Sequence, residues 1–403
     1  MNFHTDVIEL REYEASEPVR LNERALTLLD AFPSERITVQ PTSRTEWYRL
    51  RATSWVGAIS LPGLTIRIRP KVADLRNVLM MFGASAGLTD WPGDDIDYAQ
   101  ADLVAGVAAL VFRGVDAATR RGLVHGYQNR EERLPVIRGR LLVEELSSRP
   151  WDIWPAPCRY DEFTADVPEN RVLLAAVTQL RRWAIQLQER RHANELVQRL
   201  AGVSDSPFPL WELEMVRPTR VNEHYAAALA LCRLVLEGLG VAHAAGDQQA
   251  DAFLIDMNKL FERWVGAELT QRLWPDIEVV EQEPVALSER PRVNMAPDLI
   301  FKRAGKTAFV GDVKYKLTSS GLSRTDDYYQ LLAYATALNL DRGVLIYCQA
   351  DEAPAREITV VGGGQRLVCH PLSLAGSWAD VSAGLDELAG SIRSASILSL
   401  QSS

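Results

Sequence analysis

The sequence predicts a multidomain chain, α+β in its first part and α/β in its last, with a β-rich N-terminal region, a helical connector and a C-terminal mixed sheet flanked by helices. Three observations carry this expectation. The chain has 403 residues, more than one ordinary domain holds. Apolar residues alternate with a period of two around residues 55–69 and change to helical spacing over 170–240. Beyond 250, short apolar runs alternate with helical stretches, the order expected of a small sheet covered by helices. The expected divisions are 1–155, 156–245 and 246–403.

Within the first segment, TSWVGAISLPGLTIRIRPKV reads as a hairpin turned at Leu-Pro-Gly, with Leu64, Ile66 and Ile68 alternating against Thr65, Arg67 and Arg69. Residues 74–83 suit a short helix stopped by Gly83, 91–95 a loop, and 101–121 a helix with Leu103, Val107, Leu110, Val111 and Val115 on its apolar side. The stretch from Arg113 to Arg140 is rich in arginine, which suits either a solvated face or a docking face. Residues 151–170 read as irregular.

A long helix is expected over 170–203 and another from about 221 to Gly238 or Gly240. GDQQAD at 246–251 is turn-like. A strand-like run then leads into a helix capped by Asp256 or Asn258, with Leu260, Phe261, Trp264, Val265, Leu269 and Leu273 apolar. Strands are expected at 277–282, 297–302, 307–313 and 343–348, and RLVCHPL resembles one more. A helix over 326–339 takes Thr325 as its N-cap, with Asp326 and Asp327 in its positive first turn.

Composition narrows the function. The net charge is −9, whereas a protein that grips nucleic acid unaided is usually basic. Nucleic-acid binding would therefore need a local basic patch and a partner that supplies affinity. The four cysteines are scattered without a CxxC, which disfavours a disulfide framework or a zinc site, and Cys369-His370 supplies only two ligands. No apolar run is long enough to span a bilayer and the N-terminus lacks an apolar signal core, so a cytoplasmic location is the default expectation.

The chemistry concentrates in APDLIFKRAGKTAFVGDVKYK. On a strand, Asp312 and Lys314 point to one face, and Asp298 at the start of a neighbouring strand can converge with them. Two carboxylates suffice for Mg²⁺, with the Val313 carbonyl and Glu262, on the preceding helix, as further candidate ligands. Such an ion supplies the Lewis acidity of phosphodiester hydrolysis, and Lys314 can polarise a water or offset charge on the phosphate. Gln330 and Tyr334, four residues apart, share one face of the helix that follows. The competing reading of each residue is plain: a hairpin with a charged edge, a solvent-facing Glu262, and an ordinary surface pair.

Taken in order, Glu262, Pro297-Asp298, Asp312-Val313-Lys314, Gln330 and Tyr334 resemble the PD-(D/E)xK (restriction-endonuclease-like) nuclease superfamily. The closer resemblance is to the McrC family, the nuclease subunit of McrBC-type restriction systems, which are type IV and 5-methylcytosine-specific. IRIRPKVADLRNVLMMFG, NREERLPVIRGRL, CRYDEFTADVPENRVLLAA, DMNKLFERWV, GDVKYK and DDYYQLLAYA carry it. The resemblance implies a metal-dependent endodeoxyribonuclease using Mg²⁺, with Mn²⁺ as a substitute, and catalytic residues Asp298, Asp312, Lys314, Glu262, Gln330 and Tyr334. It implies an McrB-like AAA+ GTPase hexamer as partner and double-stranded DNA with modified cytosine as target. The motor would dock on the N-terminal part, and self-association through the nuclease domain is left open. Two alternatives stand beside it: a nuclease-fold adaptor that only activates the motor, and a stand-alone DNA-repair nuclease. The second would need its own motor, and the chain has no GxxxxGK[ST] loop.

Overall fold

The computed structural model describes residues 6–72, 74–88, 103–149, 151–183, 187–205, 214, 216, 219–243, 249–290, 292–316, 325–349 and 355–401. The loop expected at 91–95 and the start of the turn expected at 246–251 lie outside the described residues. The chain forms two compact units, residues 1–106 with 238–403, and residues 107–237. No described helix is long and apolar enough to cross a membrane.

The first unit opens with β1 (Asp6–Arg11), β2 (Val19–Arg20), α1 (Glu23–Asp30), β3 (Ile37–Pro41), β4 (Trp47–Ala52), β5 (Trp55–Leu61), β6 (Leu64–Arg69) and α2 (Leu75–Ser85). The expected hairpin is β5–β6, antiparallel, with Leu61 opposite Leu64. Helix α2 runs through Gly83, which is buried, instead of stopping there. The stop is a Schellman motif: Leu88 N–H bonds to Gly83 O, Gly87 N–H to Ala84 O, and Gly87 takes the left-handed position at φ +75.

The second unit holds most of α3 (Leu103–Thr119), then β7 (Gly126–Leu134), β8 (Arg140–Leu141), α4 (Val143–Ser148), β9 (Ala156–Thr164), α5 (Pro168–Arg181), α6 (Leu187–Arg199) and most of α7 (Ala226–Gly238). Two expectations change here, and a third observation concerns the arginines of 113–140. Residues 151–170, read as irregular, contain β9, the middle strand of a sheet in the order β7-β9-β8. The long helix of 170–203 is two helices. The first closes tightly, with Arg182 N–H bonding to Gln179 O and Trp183 N–H to Leu180 O, three residues back. The arginines of 113–140 are largely spoken for: Arg120 pairs with Asp116, Arg130 with Glu162, and Arg133 with Glu145 and Asp152, while Arg138 lies over the Tyr160 ring.

The first unit resumes with β10 (Leu239–His243), β11 (Gln249–Asp256), α8 (Met257–Leu273), β12 (Glu278–Glu281), β13 (Val285–Glu289), β14 (Arg292–Met295), β15 (Leu299–Arg303), β16 (Lys306–Lys314), α9 (Thr325–Ala337), β17 (Arg342–Gln349), β18 (Arg356–Thr359), β19 (Arg366–Ser373) and α10 (Trp378–Gln401). The β13–β14 hairpin, β18 and α10 have no counterpart in the sequence reading. The compact units also divide the chain differently from the three expected segments, because β11 pairs with β5 and completes the five-stranded sheet β1-β6-β5-β11-β10. That pairing depends on Gly57. Its φ is +136, and a Cβ there would lie 2.1 Å from the Phe253 carbonyl oxygen.

A six-stranded mixed sheet, β12-β15-β16-β17-β19-β18, forms the body of the C-terminal part. Strand β15 pairs antiparallel with β12 and with β16; strands β16, β17 and β19 are mutually parallel, and β18 is antiparallel to β19. Helix α8 begins on its expected cap, the Asp256 side chain accepting from Asn258 N–H, and buries all six apolar residues named for it. On α9, Leu331, Tyr334 and Ala335 pack with Val310, Leu345 and Tyr347 of the sheet. Burying Leu331 alone is worth about 1.5–3 kcal/mol.

Candidate metal-dependent active site

The sheet register explains why the carboxylates meet. Strands β15 and β16 pair Leu299 with Gly311, so the next step of the same antiparallel register sets Asp298 beside Asp312. Residues directly opposed in such a ladder point to one face. Asp298 is 9% exposed and Asp312 0%. The Asp298 Oδ2 accepts the Val313 N–H at 2.8 Å, which ties the Pro-Asp turn to the C-terminal end of β16. What the structure shows of Val313 at the site is therefore its N–H, donated to a carboxylate.

Lys314 follows the alternation and returns to the Asp312 face. Its Nζ lies 3.0 Å from Oδ1 and 2.8 Å from Oδ2 of Asp312. The Oδ2 contact is an ion pair without hydrogen-bond geometry, so this buried oxygen keeps acceptor capacity. Burial, then the nearby Asp298 charge, push Asp312 up to about 7 against the pull of Lys314. Lys314 shows the converse balance. Burial works against its charge, but the attraction and hydrogen bond of Asp312 outweigh it and raise its pKa.

Glu262 projects from α8 and accepts a hydrogen bond from Gln282 Nε2 at 2.5 Å. The same nitrogen donates to Asp298 Oδ1 at 3.0 Å. Burial and the Asp298 charge raise the Glu262 pKa. Gln330 and Tyr334 do share a helix face, and Gln330 Nε2 donates to the Tyr334 hydroxyl at 2.6 Å. The tyrosine is not a surface residue, however. It is 5% exposed, packs into the core, and its hydroxyl lies 3.4 Å from the Ala296 carbonyl, just before the Pro-Asp turn. The pair braces that turn through the Tyr334 hydroxyl.

Two further residues belong to the constellation and were not read as such in the sequence. Gln282 follows β12 with nothing in its residue type to mark it. Asp327, read as a helix-dipole residue, is buried and accepts from Lys316 Nζ and Tyr347 Oη, each at 2.8 Å. Burial opposes its charge, but these donors hold its pKa below the usual range. Thr325 is already the first described helical residue of α9 rather than its cap.

Just past the end of β16, Tyr315 donates its hydroxyl to the buried Glu12 at 3.0 Å, and Lys71 Nζ donates to the Tyr315 carbonyl at 2.9 Å. Burial pushes Glu12 up to about 7, partly offset by Lys71. Residues just past β1 and β6 thus hold the end of the strand that carries Asp312 and Lys314.

Among the described residues, no three His, Cys, Asp or Glu side chains gather closely enough to make a closed metal cage. Mg²⁺ does not need one, since it is usually held by one or two carboxylates and keeps several waters. Asp298 and Asp312 fit that demand: two adjacent buried carboxylates, one of them with an unfilled oxygen and a strongly raised pKa, form a pair that a divalent cation would relieve.

The family model for the McrBC 5-methylcytosine restriction system component matches residues 50–348, a span that includes every site residue named above. This chain belongs to that family. No curated protein matches the sequence. Among solved structures, a chain described as the refined half-complex from a tetradecameric assembly of Thermococcus gammatolerans McrB AAA+ hexamers with bound McrC matches with TM-score 0.59 and 17% identity, covering 96% of this chain and 100% of that one. A second, described as the cryo-EM structure of the Thermococcus gammatolerans McrBC complex, matches with TM-score 0.41 and 18% identity, covering 66% of this chain and 88% of that one. The first likeness shows that this McrBC family member shares an overall fold with a chain of that assembly.

Proposed function

We propose that this McrBC family chain is the DNA-cleaving subunit of a modification-dependent restriction complex, a PD-(D/E)xK endonuclease that hydrolyses phosphodiester bonds with Mg²⁺, or Mn²⁺ in its place. The observation that carries the reading is the buried Asp312, held between Lys314 and Asp298 with one oxygen unfilled. A surface hairpin has no reason to keep two like charges out of water.

A bound Mg²⁺ supplies charge neutralisation at the scissile phosphate. Asp298 and Asp312 would hold it. Lys314, anchored on Asp312, presents a cation to a phosphate oxygen or to the attacking water. Val313 N–H fixes the Asp298 carboxylate, and Tyr334 with Gln330 fixes the turn before it, so the pair is set before substrate arrives.

The partner in this proposal is an McrB-like AAA+ GTPase hexamer, which selects DNA with modified cytosine and whose GTP hydrolysis this chain stimulates. Docking falls to the part before the nuclease sheet, with the 113–140 segment as the candidate face. The setting is phage defence inside the cell. The acidity of the whole chain suits a subunit whose DNA affinity comes from its partner.

The test compares wild type with Asp312→Asn on methylated DNA with Mg²⁺, each with and without the cognate motor and GTP. Wild type should cut only with the motor; the variant should not cut, yet should stimulate GTP hydrolysis fully. Equal behaviour of the two proteins would make this chain an adaptor and the carboxylates structural.

A further inference from the structure

We infer that Gln282 is a positioning residue that makes Glu262 part of the cation site, and this rests on the nuclease reading above. One amide nitrogen donates to both Glu262 and Asp298, at 2.5 and 3.0 Å. Glu262 comes from α8 and Asp298 from the turn before β15, so the amide bridges two elements that otherwise set their carboxylates independently.

The residue type suits this task. A neutral amide offsets the repulsion between two carboxylates without cancelling the negative potential that attracts a divalent cation. A lysine or arginine there would compete with the ion, and an acid would add to the repulsion. The backbone points the same way. Gln282 sits at φ +52, and its N–H bonds to the Asp298 carbonyl at 3.2 Å. Glycine would adopt this left-handed conformation more cheaply. That a long side chain stands there instead indicates that its amide is needed. Both the main chain and the side chain of Gln282 thereby grip Asp298, and the side chain carries Glu262 with it.

Calorimetric titration of Mn²⁺ into the full chain tests this with wild type, Glu262→Gln, Gln282→Met and the double variant. Partners that orient metal ligands typically contribute 10–100-fold in affinity, so each single variant should bind about tenfold more weakly. The double variant should be no weaker than either, because both changes remove the same contribution. Gln282→Gly, which relieves the left-handed backbone, should melt close to wild type in EDTA and still lose affinity.

Wild-type affinity in both Gln282 variants, or losses that add in the double variant, would overturn the inference. If Asp312→Asn abolishes Mn²⁺ binding in that same series, the cation site stands and only the role of Gln282 falls. If wild type itself binds no Mn²⁺, the nuclease reading fails and this inference fails with it.

Discussion

Strands β7 and β16 are both nine residues long and both mix acids with bases, yet their charges do opposite things. On β7, Glu131 pairs with Arg159 directly opposite it on β9 and Arg130 reaches Glu162 diagonally, the latter pair 36% and 35% exposed. Water and salt screen such pairs, and each is worth ~0.2–1 kcal/mol. On β16, Asp312 is 0% exposed and Lys314 19%, with Asp298 alongside. There the charges cannot be screened, and the proton affinities of Asp312 and Lys314 both shift. Burial decides whether a charged strand is a solvated face or a site for chemistry.

The largest expected effect tests the titration of Asp312. Its pKa is about 7 folded and 3.8 in the unfolded reference, a raised value, so its stabilisation is complete below about pH 4 and is lost as pH rises through 7. The loss approaches about 4 kcal/mol. Denaturant unfolding at pH 5 and pH 8 spans about two-thirds of that range and should show a fall of about 3 kcal/mol in wild type and a much smaller one in Asp312→Asn. Glu12, also raised to about 7, and Glu262, raised as well, should contribute to what remains, and adding Glu12→Gln should reduce it further. An unchanged slope in Asp312→Asn would put β16 in the same class as β7.

Next comes Lys314→Met. Removing one partner of a buried pair costs about 3 kcal/mol at pH 8, and less at pH 5, where Asp312 takes up a proton. DNA cleavage in the complete complex should fall about 100-fold or more. A loss of stability without any loss of cleavage would confine Lys314 to a structural role.

Mg²⁺ should raise the unfolding free energy by about 2.7 kcal/mol at a hundredfold excess over its Kd. The effect should shrink from pH 8 to pH 6, as protons compete for Asp312. Thermal melts with Mg²⁺ and with EDTA at both values read this out, and an equal shift in Asp312→Asn would move the ion elsewhere.

The smallest effect belongs to β7. Arg130→Ala should change stability by about 0.5 kcal/mol or less and should lose even that in high salt. A change of several kcal/mol would erase the contrast between the strands.

Much of this was legible in the sequence because it depends on local period. The alternation of VGDVK puts Asp312 and Lys314 on one face, the apolar spacing of 260–273 gives the buried side of α8, and Asp256 caps that helix through its own side chain. The spacing of Gln330 and Tyr334 likewise gave their shared face. The charged stretch 113–140 was visible too, but not its pairing, since Glu162, Glu145 and Asp152 reach those arginines only once β9 lies beside β7.

What the sequence by itself determined is thus the set of chemical groups and the direction each takes from its own strand or helix. Only the tertiary structure decided which of them meet. Strand β11 returning to β5 is a pairing across some two hundred residues, permitted by a glycine whose need is invisible until Phe253 approaches it. Asp327 became a clamp for Lys316 and Tyr347, and Gln282 became a bridge, because separate elements pack around them. Local geometry follows from bond angles and side-chain period. Burial, and with it the proton affinity of Asp312, depends on everything packed around the residue.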